Sequence, residues 1–288
     1  MSDLLHSQKK YFISFADSRM SAATTRIAKQ AEEMNFFDEI HVMNENDLDE
    51  FFFKKWGDVA KVGVRGFGYW CWKPYIILKT LEKMPENGVL LYCDAGCHLN
   101  PAGLPRLYDY VDALNHDDLG IKAFYTHFGC IDVRERRWTK GDVFDYFGCR
   151  DQKDITDSLQ VAATQVFIRK TAASVQFVRE WLAAIEEDFS LITDAPSRGK
   201  NLRGFLEHRH DQSLFSVLFK LRGGIAFSAE ETEVGHSDNR EGYPIWDLRD
   251  RGYKDMHFWS RVKRWTKGRL LLTKIRWEKL KERFFPIK

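Results

Sequence analysis

Short apolar runs alternate with amphipathic stretches along the first half of the chain. The apolar runs are rich in β-branched and aromatic residues and predict strands at residues 10–16, 39–43 and 88–93. The stretches between them repeat their apolar residues at helical spacing and predict helices at residues 21–34, 47–56 and 74–83. Ser21 is the expected N-cap of the first helix, and Pro74 suits the first turn of the third.

The same alternation continues into the second half with different lengths. Strands are expected at residues 121–126, 162–169 and 225–227, and helices at 139–147, 172–187 and 210–221. Strands that alternate with helices predict an α/β fold with a mostly parallel central sheet and helices on both faces. Ligands of such sheets bind outside the carboxyl ends of the strands, so Asp17-Ser18-Arg19 and Asp94-Ala95-Gly96 should be neighbours at one rim.

Composition and charge divide the chain in two. The 288 residues are 44% hydrophobic and 30% charged, which supports a large core. Residues 254–288 contain twelve Lys or Arg against three Asp or Glu, a net charge of +9, and residues 1–253 carry −7. We therefore expect one catalytic domain over residues 1–253 and a basic segment over 254–288. A mildly acidic body disfavours a nucleic-acid partner.

The basic segment has one apolar helical face. Its members recur at steps of three and four and are Trp259, Val262, Thr266, Leu270, Thr273, Trp277, Leu280 and Phe284. A basic amphipathic helix with aromatic residues on its apolar edge is typical of proteins that lie on an anionic membrane surface. The alternative is a helix that packs on the body and exposes its basic face to solvent. Gly268 weakens the helix in either case.

The expected compartment is reducing. The five cysteines are odd in number and form no CxxC pair, so buried free thiols are expected rather than a disulfide framework. We see neither a secretory signal at the N-terminus nor an apolar run long enough to span a bilayer. Together with the basic segment, this predicts a cytoplasmic protein that is peripheral on the inner face of the cell membrane.

Two carboxylates are the first candidates for chemistry. Asp94 follows an apolar strand and precedes a small residue and a glycine, a pattern that can present an acid to a ligand; a plain strand-end turn is the alternative. Asp211 lies at a helix start, where backbone N–H groups and the helix dipole should keep it ionised and able to act as a base. Simple N-capping by Asp211 is the competing interpretation.

Several motifs together resemble one enzyme family. The run RGFGYWCWKPYIILKTLEKMPENGVLLYCDAG resembles nucleotide-sugar glycosyltransferases of the GT-A fold, and its WxWKP block resembles small bacterial lipopolysaccharide and capsule enzymes. YFISFADSR, VAATQVFIRK, RHDQSLFSVL and GHSDNREGYPIW resemble further segments of such enzymes. The similarity covers residues 10–250.

The resemblance implies roles for individual residues. Asp94 would lie at the donor diphosphate and Asp211 near the reacting carbons. The remaining donor-binding candidates are Phe15, Asp17, Arg19, Arg65, Trp72, Lys73, Gly96, Gln165, Gln212 and His236. Tyr69, Trp70 and Trp72 offer flat faces to a sugar or base, although core packing is the alternative. For Arg65 and Lys73 the alternative is a surface salt bridge.

The metal requirement is open at this point. The family places Asp-x-Asp at the end of the third strand to hold a divalent cation, but this chain has Asp94-Ala95-Gly96 and lacks the second carboxylate. Asp94 with help from His236 or another Asp could still hold Mn²⁺ or Mg²⁺, because phosphates supply the remaining oxygens. Alternatively, Lys73 or Arg65 could neutralise the diphosphate without a metal.

The resemblance predicts a hexosyltransferase. The donor would be a nucleotide sugar, with UDP as its nucleotide, and the acceptor a lipid-linked glycan of surface polysaccharide biosynthesis, such as lipopolysaccharide, O-antigen or capsule. Two other classes remain alternatives: a sugar nucleotidyltransferase, and a non-catalytic sugar-binding or membrane-scaffold protein. A nucleotidyltransferase would favour a glycine-rich basic first loop, which FADSRMSAATT is not.

Overall fold

A computed structural model describes residues 7–126, 131–232 and 240–252, and Thr273, Ile275 and Trp277. Seven strands are formed within this part of the chain. They are β1 (Lys10–Phe15), β2 (Glu39–Met43), β3 (Val89–Cys93), β4 (His98–Leu99), β5 (Ile121–Lys122), β6 (Gln165–Arg169) and β7 (Ile245–Trp246).

Helices of very different lengths connect the strands. They are α1 (Ser21–Glu33), α2 (Glu50–Trp56), α3 (Gly66–Tyr69), α4 (Trp72–Lys83), α5 (Leu104–Asn115), α6 (Glu135–Trp138), α7 (Gly141–Tyr146), α8 (Lys153–Thr156), α9 (Ala172–Glu187) and α10 (Asp211–Leu221). Short 3₁₀ turns lie at Ser18–Met20, Glu45–Asp47, Pro101–Gly103, Phe189–Ile192, Ala229–Glu231 and Arg240–Gly242.

The main sheet has the strand order β2-β1-β3-β6-β5. β1 pairs in parallel with β2 and with β3, whereas β6 runs antiparallel to both of its neighbours. Four of the five strands therefore share one direction. The predicted α/β architecture with a mostly parallel sheet is confirmed.

Both faces of the sheet are buried, because alternate side chains of the central strands point into two separate cores. Ile13, Leu90 and Tyr92 lie in the core that contains α4, α9 and α10. Phe12 and Leu91 lie in the core with α1 and α5. This two-sided burial explains why the strands read as continuous apolar runs.

Several predicted boundaries are wrong in detail. Ser21 does not cap α1, because Asp17 caps the preceding 3₁₀ turn at Ser18–Met20 and the N-cap position of α1 falls on Met20. The second predicted helix starts later, at Glu50, where Asp49 accepts a hydrogen bond from the backbone of Phe52. The strand predicted at 225–227 is reduced to a single bridge between Phe227 and Phe124.

The four described cysteines, Cys71, Cys93, Cys97 and Cys149, are buried free thiols, and Cys130 lies outside the described residues.

Most of the basic segment at 254–288 lies outside the described residues. Of the three residues described there, Ile275 is buried against Val133, Trp138 and Leu206, and Trp277 is 58% exposed. The proposed domain boundary at 253/254 therefore stays a prediction. Within the described part of the chain, we find no helix that combines the length and the apolar character needed to cross a membrane.

Candidate active site

A cleft of about 410 Å³ opens at the carboxyl ends of β1 and β3. Its walls come from the ends of these strands, from α3 and the start of α4, from the start of α10, and from the segment after β7. Charged residues dominate the described lining. The cations are Arg19, Arg65, Lys73, Arg209, Arg249 and Arg251, and the acids are Asp17, Asp94, Asp211 and Asp247.

Lys73 joins the two candidate carboxylates. Its Nζ atom lies 2.9 Å from Oδ2 of Asp211 and 3.2 Å from Oδ1 of Asp94, and it donates a hydrogen bond of 3.0 Å to the carbonyl of Ala163. The Lys73 side chain is only 3% exposed. The contact to Ala163 is a hydrogen bond, and the contacts to the two carboxylates are ion pairs. The surface salt bridge considered as the alternative for Lys73 is therefore wrong, because Lys73 is a buried cation that holds two acids together.

Burial and the ion pair act against each other on Asp211. Burial raises the pKa of Asp211 to about 6, and the Lys73 ammonium limits the rise. Burial alone would lower the pKa of Lys73, but the negative charges of Asp211 and Asp94 outweigh it and raise the net value. The helix start therefore does not keep the pKa of Asp211 low. At about 6, this pKa still leaves the carboxylate ionised at neutral pH, as the sequence predicts. The N-cap position belongs to His210, so the capping interpretation of Asp211 is wrong.

Asp94 is fixed at the end of β3 by its neighbours. Its backbone N–H donates to the carbonyl of Thr164, and the Tyr92 hydroxyl donates to Oδ1 at 2.5 Å. The side chain is one-third exposed at the cleft floor. Because Tyr92 and Lys73 both contact Oδ1, the Oδ2 atom remains for a ligand.

The donor set does not fit a divalent ion between the two acids. A metal placed between Asp94 and Asp211 would have to displace the Lys73 ammonium, which already pairs with both and offsets one of their two negative charges. Among the described residues, no group of three or more His, Cys, Asp and Glu side chains is arranged to hold a metal ion. His236, the expected additional ligand, lies outside the described residues.

The end of β1 forms one wall of the cleft. Asp17 is buried and accepts hydrogen bonds from Nε and Nη2 of Arg19 at 3.2 and 2.8 Å. The Phe15 ring packs on Trp72, with 4.1 Å between ring centroids. Trp72 is 3% exposed and its indole N–H donates to the Gly66 carbonyl, so its ring is mainly a core ring.

Five consecutive left-handed residues shape the opposite wall. The φ angles at Gly66, Phe67, Gly68, Tyr69 and Trp70 are 57°, 49°, 86°, 54° and 63°. Three of these residues have a Cβ atom, for which the left-handed conformation costs roughly 1–2 kcal/mol each. A Cβ atom at Gly66 would lie 2.5 Å from the Trp70 ring, so this glycine is needed. Strain of this kind concentrates at functional sites.

Two aromatic residues of this turn contact His210, the N-cap residue of α10. The Trp70 ring stacks on His210 with 5.4 Å between centroids, and the tilted Tyr69 ring lies at 5.5 Å. His210 donates from Nδ1 to the carbonyl of Ile192 and has a φ of 56°. Burial, reinforced by the nearby charge of Arg65, lowers the pKa of His210 to about 4, so the imidazole is neutral at pH 7.

Arg65 forms a salt bridge, which the sequence analysis considered as the alternative to donor binding. Its Nη1 atom contacts both carboxylate oxygens of Asp194, at 2.8 and 2.9 Å. Arg65 also lines the cleft.

Gly96 has a different role from the one expected. A Cβ atom there would lie 3.3 Å from the Cα atom of Arg249, and the N–H of Asp250 donates to the Gly96 carbonyl. The small residue therefore admits the chain's own backbone rather than a ligand. Pairing of β4 with β7 brings the same segment to the cleft, where Asp247, Arg249 and Arg251 join the lining.

Arg26 fastens this segment to the end of β3. Its guanidinium donates to the Asp250 carboxylate at 2.9 Å, to the Asp250 carbonyl at 3.0 Å and to the Ala95 carbonyl at 2.9 Å. His98 contacts the same carboxylate at 3.0 Å. Arg26 and His98 thus hold Asp250 at the end of β3, and Asp250 lies between the cleft residues Arg249 and Arg251.

Two candidates do not join the described site. Gln165 is buried at the start of β6, where its amide contacts the Cys97 sulfur at 3.3 Å, and it does not line the cleft. His236 lies outside the described residues. The other ten candidates are brought together: Phe15, Asp17, Arg19, Arg65, Trp72, Lys73, Asp94, Gly96, Asp211 and Gln212.

Sequence reasoning missed several lining residues. They are Arg209, His210, Asp247, Arg249 and Arg251. Arg209 and His210 directly precede the recognised Asp-Gln pair, so position was an available signal for them. The residues after β7 carried no local signal, because only the β4–β7 pairing places them there.

Comparisons with known proteins add little to this geometry. No family model matches the chain, and no curated protein sequence matches it. A glycosyltransferase involved in the glycosylation of the major capsid of PBCV-1 is similar in structure at 11% identity and a TM-score of 0.46, covering 78% of this chain and 82% of that chain.

Two further solved structures are similar at the same level. Mouse xyloside xylosyltransferase 1 has 9% identity and a TM-score of 0.42, covering 77% of this chain and 84% of that chain. The galactosyltransferase LgtC, in complex with donor and acceptor sugar analogues, has 16% identity and a TM-score of 0.41, covering 86% and 84%. Similarity at this level carries no argument about activity, which must be argued from the cleft itself.

Proposed function

We propose that this chain is a GT-A-type glycosyltransferase that transfers a hexose from a nucleotide sugar to an acceptor hydroxyl. The observation that carries this proposal is the buried Lys73 ammonium shared by Asp94 and Asp211 on the floor of an arginine-rich cleft. A buried acid with a raised pKa that meets a second acid in a cleft at the carboxyl ends of parallel strands is characteristic of an active site.

The lining matches the three parts of such a donor. The arginines supply charge for a diphosphate, and guanidinium groups bind phosphate oxygens well. The wall that contains Asp17 and Arg19 is the place for the nucleoside, because it lies at the end of β1. The floor with Asp94, Asp211 and Gln212 offers hydrogen-bond acceptors to sugar hydroxyls.

Asp211 is the proposed general base. With its pKa at about 6, it is ionised at neutral pH and can accept a proton from the acceptor hydroxyl. As that proton leaves, the acceptor oxygen forms its bond to the anomeric carbon of the sugar. The bond from the anomeric carbon to the phosphate oxygen breaks, and the nucleoside diphosphate leaves with the electron pair. Lys73 keeps Asp211 and Asp94 at fixed positions throughout.

We propose that the arginines, rather than a divalent ion, neutralise the departing diphosphate. Asp94-Ala95-Gly96 offers a single carboxylate, and the space between the acids is filled by the Lys73 ammonium. We therefore propose neutralisation of the diphosphate without a metal. Arg249 and Arg251 take the role that the sequence analysis considered for Lys73.

The finer assignment rests on the sequence. We propose a UDP-hexose as donor and a lipid-linked glycan of surface polysaccharide as acceptor. The +9 segment at 254–288 supports a position on the inner face of the cell membrane, because basic residues near an anionic surface contribute about 1 kcal/mol each to binding. At Ile275 this segment packs on the body, which supports the alternative interpretation at that residue, and the membrane position stays a proposal.

A sugar nucleotidyltransferase is the rival of similar chemistry. It would need a phosphate-binding loop after β1, but the described turn at Ser18–Met20 contains no glycine. A non-catalytic sugar-binding protein would have no reason to bury a lysine between two aspartates beside a strained turn.

Isothermal titration calorimetry with UDP, UDP-glucose, GDP and CTP tests the proposal. UDP and UDP-glucose should bind, and Arg249→Ala should weaken both, because it removes a cation from the diphosphate site. Arg179→Ala, on the exposed side of α9, is the matched control and should leave binding unchanged. A protein that binds CTP and not UDP would favour the nucleotidyltransferase, and one that binds none of the four would contradict both enzymes.

A further inference from the structure

A buried chain of polar side chains runs from α6 to the cleft and ends at Gln212. It begins at Glu135, which is fully buried and forms a 2.7 Å ion pair with Lys220. Glu135 also accepts hydrogen bonds from the hydroxyls of Ser216 and, at 2.6 Å, Thr139. Gln160, also fully buried, connects this cluster to Gln212.

The surroundings of Gln160 fix which way its amide points. Its Nε2 atom faces three oxygens: Oε2 of Glu135 at 3.3 Å, Oγ1 of Thr139 at 3.2 Å and Oγ of Ser213 at 3.4 Å. A carboxylate only accepts, and both hydroxyl protons are already used, by Thr139 toward Glu135 and by Ser213 toward the Trp138 carbonyl. Only the NH₂ group of Gln160, with its two protons, can donate toward these acceptors.

The orientation of the Gln160 amide determines the orientation of the Gln212 amide. With its NH₂ group facing Glu135, Gln160 must present its Oε1 atom to Gln212, whose Nε2 donates to it at 2.9 Å. The amide of Gln212 is thereby fixed as well, with Nε2 turned inward. Gln212 lines the cleft next to Asp211, so its Oε1 atom is the one left for a ligand.

We propose that Glu135 and Gln160 are positioning residues that make Gln212 a hydrogen-bond acceptor in the cleft. An acceptor selects O–H or N–H groups and repels phosphate or carboxylate oxygens. Gln212 therefore binds a hydroxyl of a sugar and not the diphosphate, which places the sugar beside Asp211 and the diphosphate toward the arginines. The identification of the ligand group as a sugar hydroxyl rests on the proposed function; the orientation of the amide does not.

The amide orientation can be tested without a ligand. We compare thermal melts of Gln212→Glu and Gln212→Met at pH 8 and pH 5. A carboxylate at 212 would face Oε1 of Gln160, so Gln212→Glu should melt lower than Gln212→Met at pH 8, and the difference should shrink at pH 5 as the new acid is protonated.

The adjacent charge of Asp211 also acts on the new carboxylate, so the comparison is repeated with Gln160→Met. Loss of the Gln160 oxygen should reduce the pH 8 penalty of Gln212→Glu. If Gln212→Glu is at least as stable as Gln212→Met at pH 8, Gln160 presents its NH₂ group and the proposal is overturned. The same holds if Gln160→Met leaves the penalty unchanged.

Binding supplies the second test. By calorimetry, Gln160→Met should weaken UDP-glucose about tenfold, the effect of one hydrogen bond of about 1.4 kcal/mol, and should change UDP by less than about twofold. The effect on UDP-glucose should vanish in a Gln212→Met background, since the two residues act through one contact.

Equal losses for UDP and UDP-glucose would assign Gln160 a merely structural role and overturn the positioning. A wild-type protein that binds neither nucleotide contradicts the proposed function instead, and the pH-dependent melts still decide the orientation of Gln212.

Discussion

Lys73 and Asp211 form an ion pair of 2.9 Å between side chains that are 3% and 5% exposed. The pair joins the first turn of α4 to the first turn of α10, and Asp94 at the end of β3 shares the same ammonium group. Three elements distant in sequence therefore meet at one charge. Removal of that charge would leave two acids together in a poorly solvated place.

Lys73→Met should destabilise the protein strongly. Loss of one partner of a buried ion pair costs about 3–5 kcal/mol, because the remaining charge is uncompensated. Lys79→Met is the matched control: Lys79 lies on the same helix, is 46% exposed and contacts Asp49 at 3.5 Å, and exposed pairs contribute roughly 0–1 kcal/mol. Denaturant unfolding of both variants measures the difference. Equal losses would mean that the buried pair is not a stabilising unit.

Activity should fall on the acid side with the titration of Asp211. Its raised pKa of about 6 predicts that kcat declines below pH 6, because the base becomes protonated. Asp211→Asn should lower kcat by about 10²–10⁴-fold, the usual contribution of general acid–base catalysis, with donor affinity nearly kept. A pH–rate profile of wild type shows the acid limb, and Asp211→Asn with wild-type turnover would leave Asp211 without a catalytic role.

Stability should respond to the same group with a defined sign. The ordinary pKa of Asp211 is 3.8 and burial raises it, so between these values the folded protein holds more protons than the unfolded chain. The contribution of Asp211 to stability therefore falls as the pH rises from about 4 to about 6 and is constant above that. Melts of wild type and Asp211→Asn across this range test the sign: the advantage of wild type should shrink with rising pH.

Removal of divalent metal should leave donor binding intact. The Lys73 ammonium occupies the position between Asp94 and Asp211. EDTA should therefore change the affinity for UDP by less than about twofold, which is a smaller free energy of binding than one hydrogen bond contributes. Calorimetry with and without EDTA, followed by readdition of Mn²⁺, measures this. A tenfold gain on addition of Mn²⁺ would show that Asp94 holds a metal with ligands outside the described residues.

The basic segment should bind anionic vesicles in two separable ways. Its charge is screened at 1 M salt, where the Debye length is about 3 Å, but apolar insertion is not. Trp277, which is 58% exposed, should supply the salt-resistant part, so Trp277→Ser should lose binding at high salt. Leu248→Ser, at another exposed apolar residue, is the control in the same co-sedimentation assay. No binding of wild type at low salt would contradict the membrane proposal.

The sequence predicted the residues at the carboxyl ends of the strands better than the contacts between distant elements. The ends of β1 and β3 carry Asp17 and Asp94 where the apolar runs stop, because strand burial is a local pattern. The partners of Lys73 could not be predicted, since they depend on how α4 and α10 pack. Gln165 was misplaced for a similar reason: its pairing opposite Cys93 is a matter of register, which no local pattern sets here.

The backbone conformation of the cleft walls could not be predicted from local sequence patterns either. The glycines between Gly66 and Trp70 were a sign of an unusual turn, but the left-handed conformations of Phe67, Tyr69 and Trp70 had no signal in the sequence. Gly96 was correctly singled out as a point of close approach, but the approaching group is the backbone at Arg249.

The most direct test of the central claim is release of UDP from UDP-glucose and UDP-galactose, with wild type and Asp94→Asn compared at equal concentration. The account predicts that wild type releases UDP from at least one donor, faster when a sugar acceptor is added. Asp94→Asn should be at least 100-fold slower and should still melt cooperatively, because Lys73 keeps its pair with Asp211. Release by Asp94→Asn at the wild-type rate, or no release by wild type from either donor, would contradict the account.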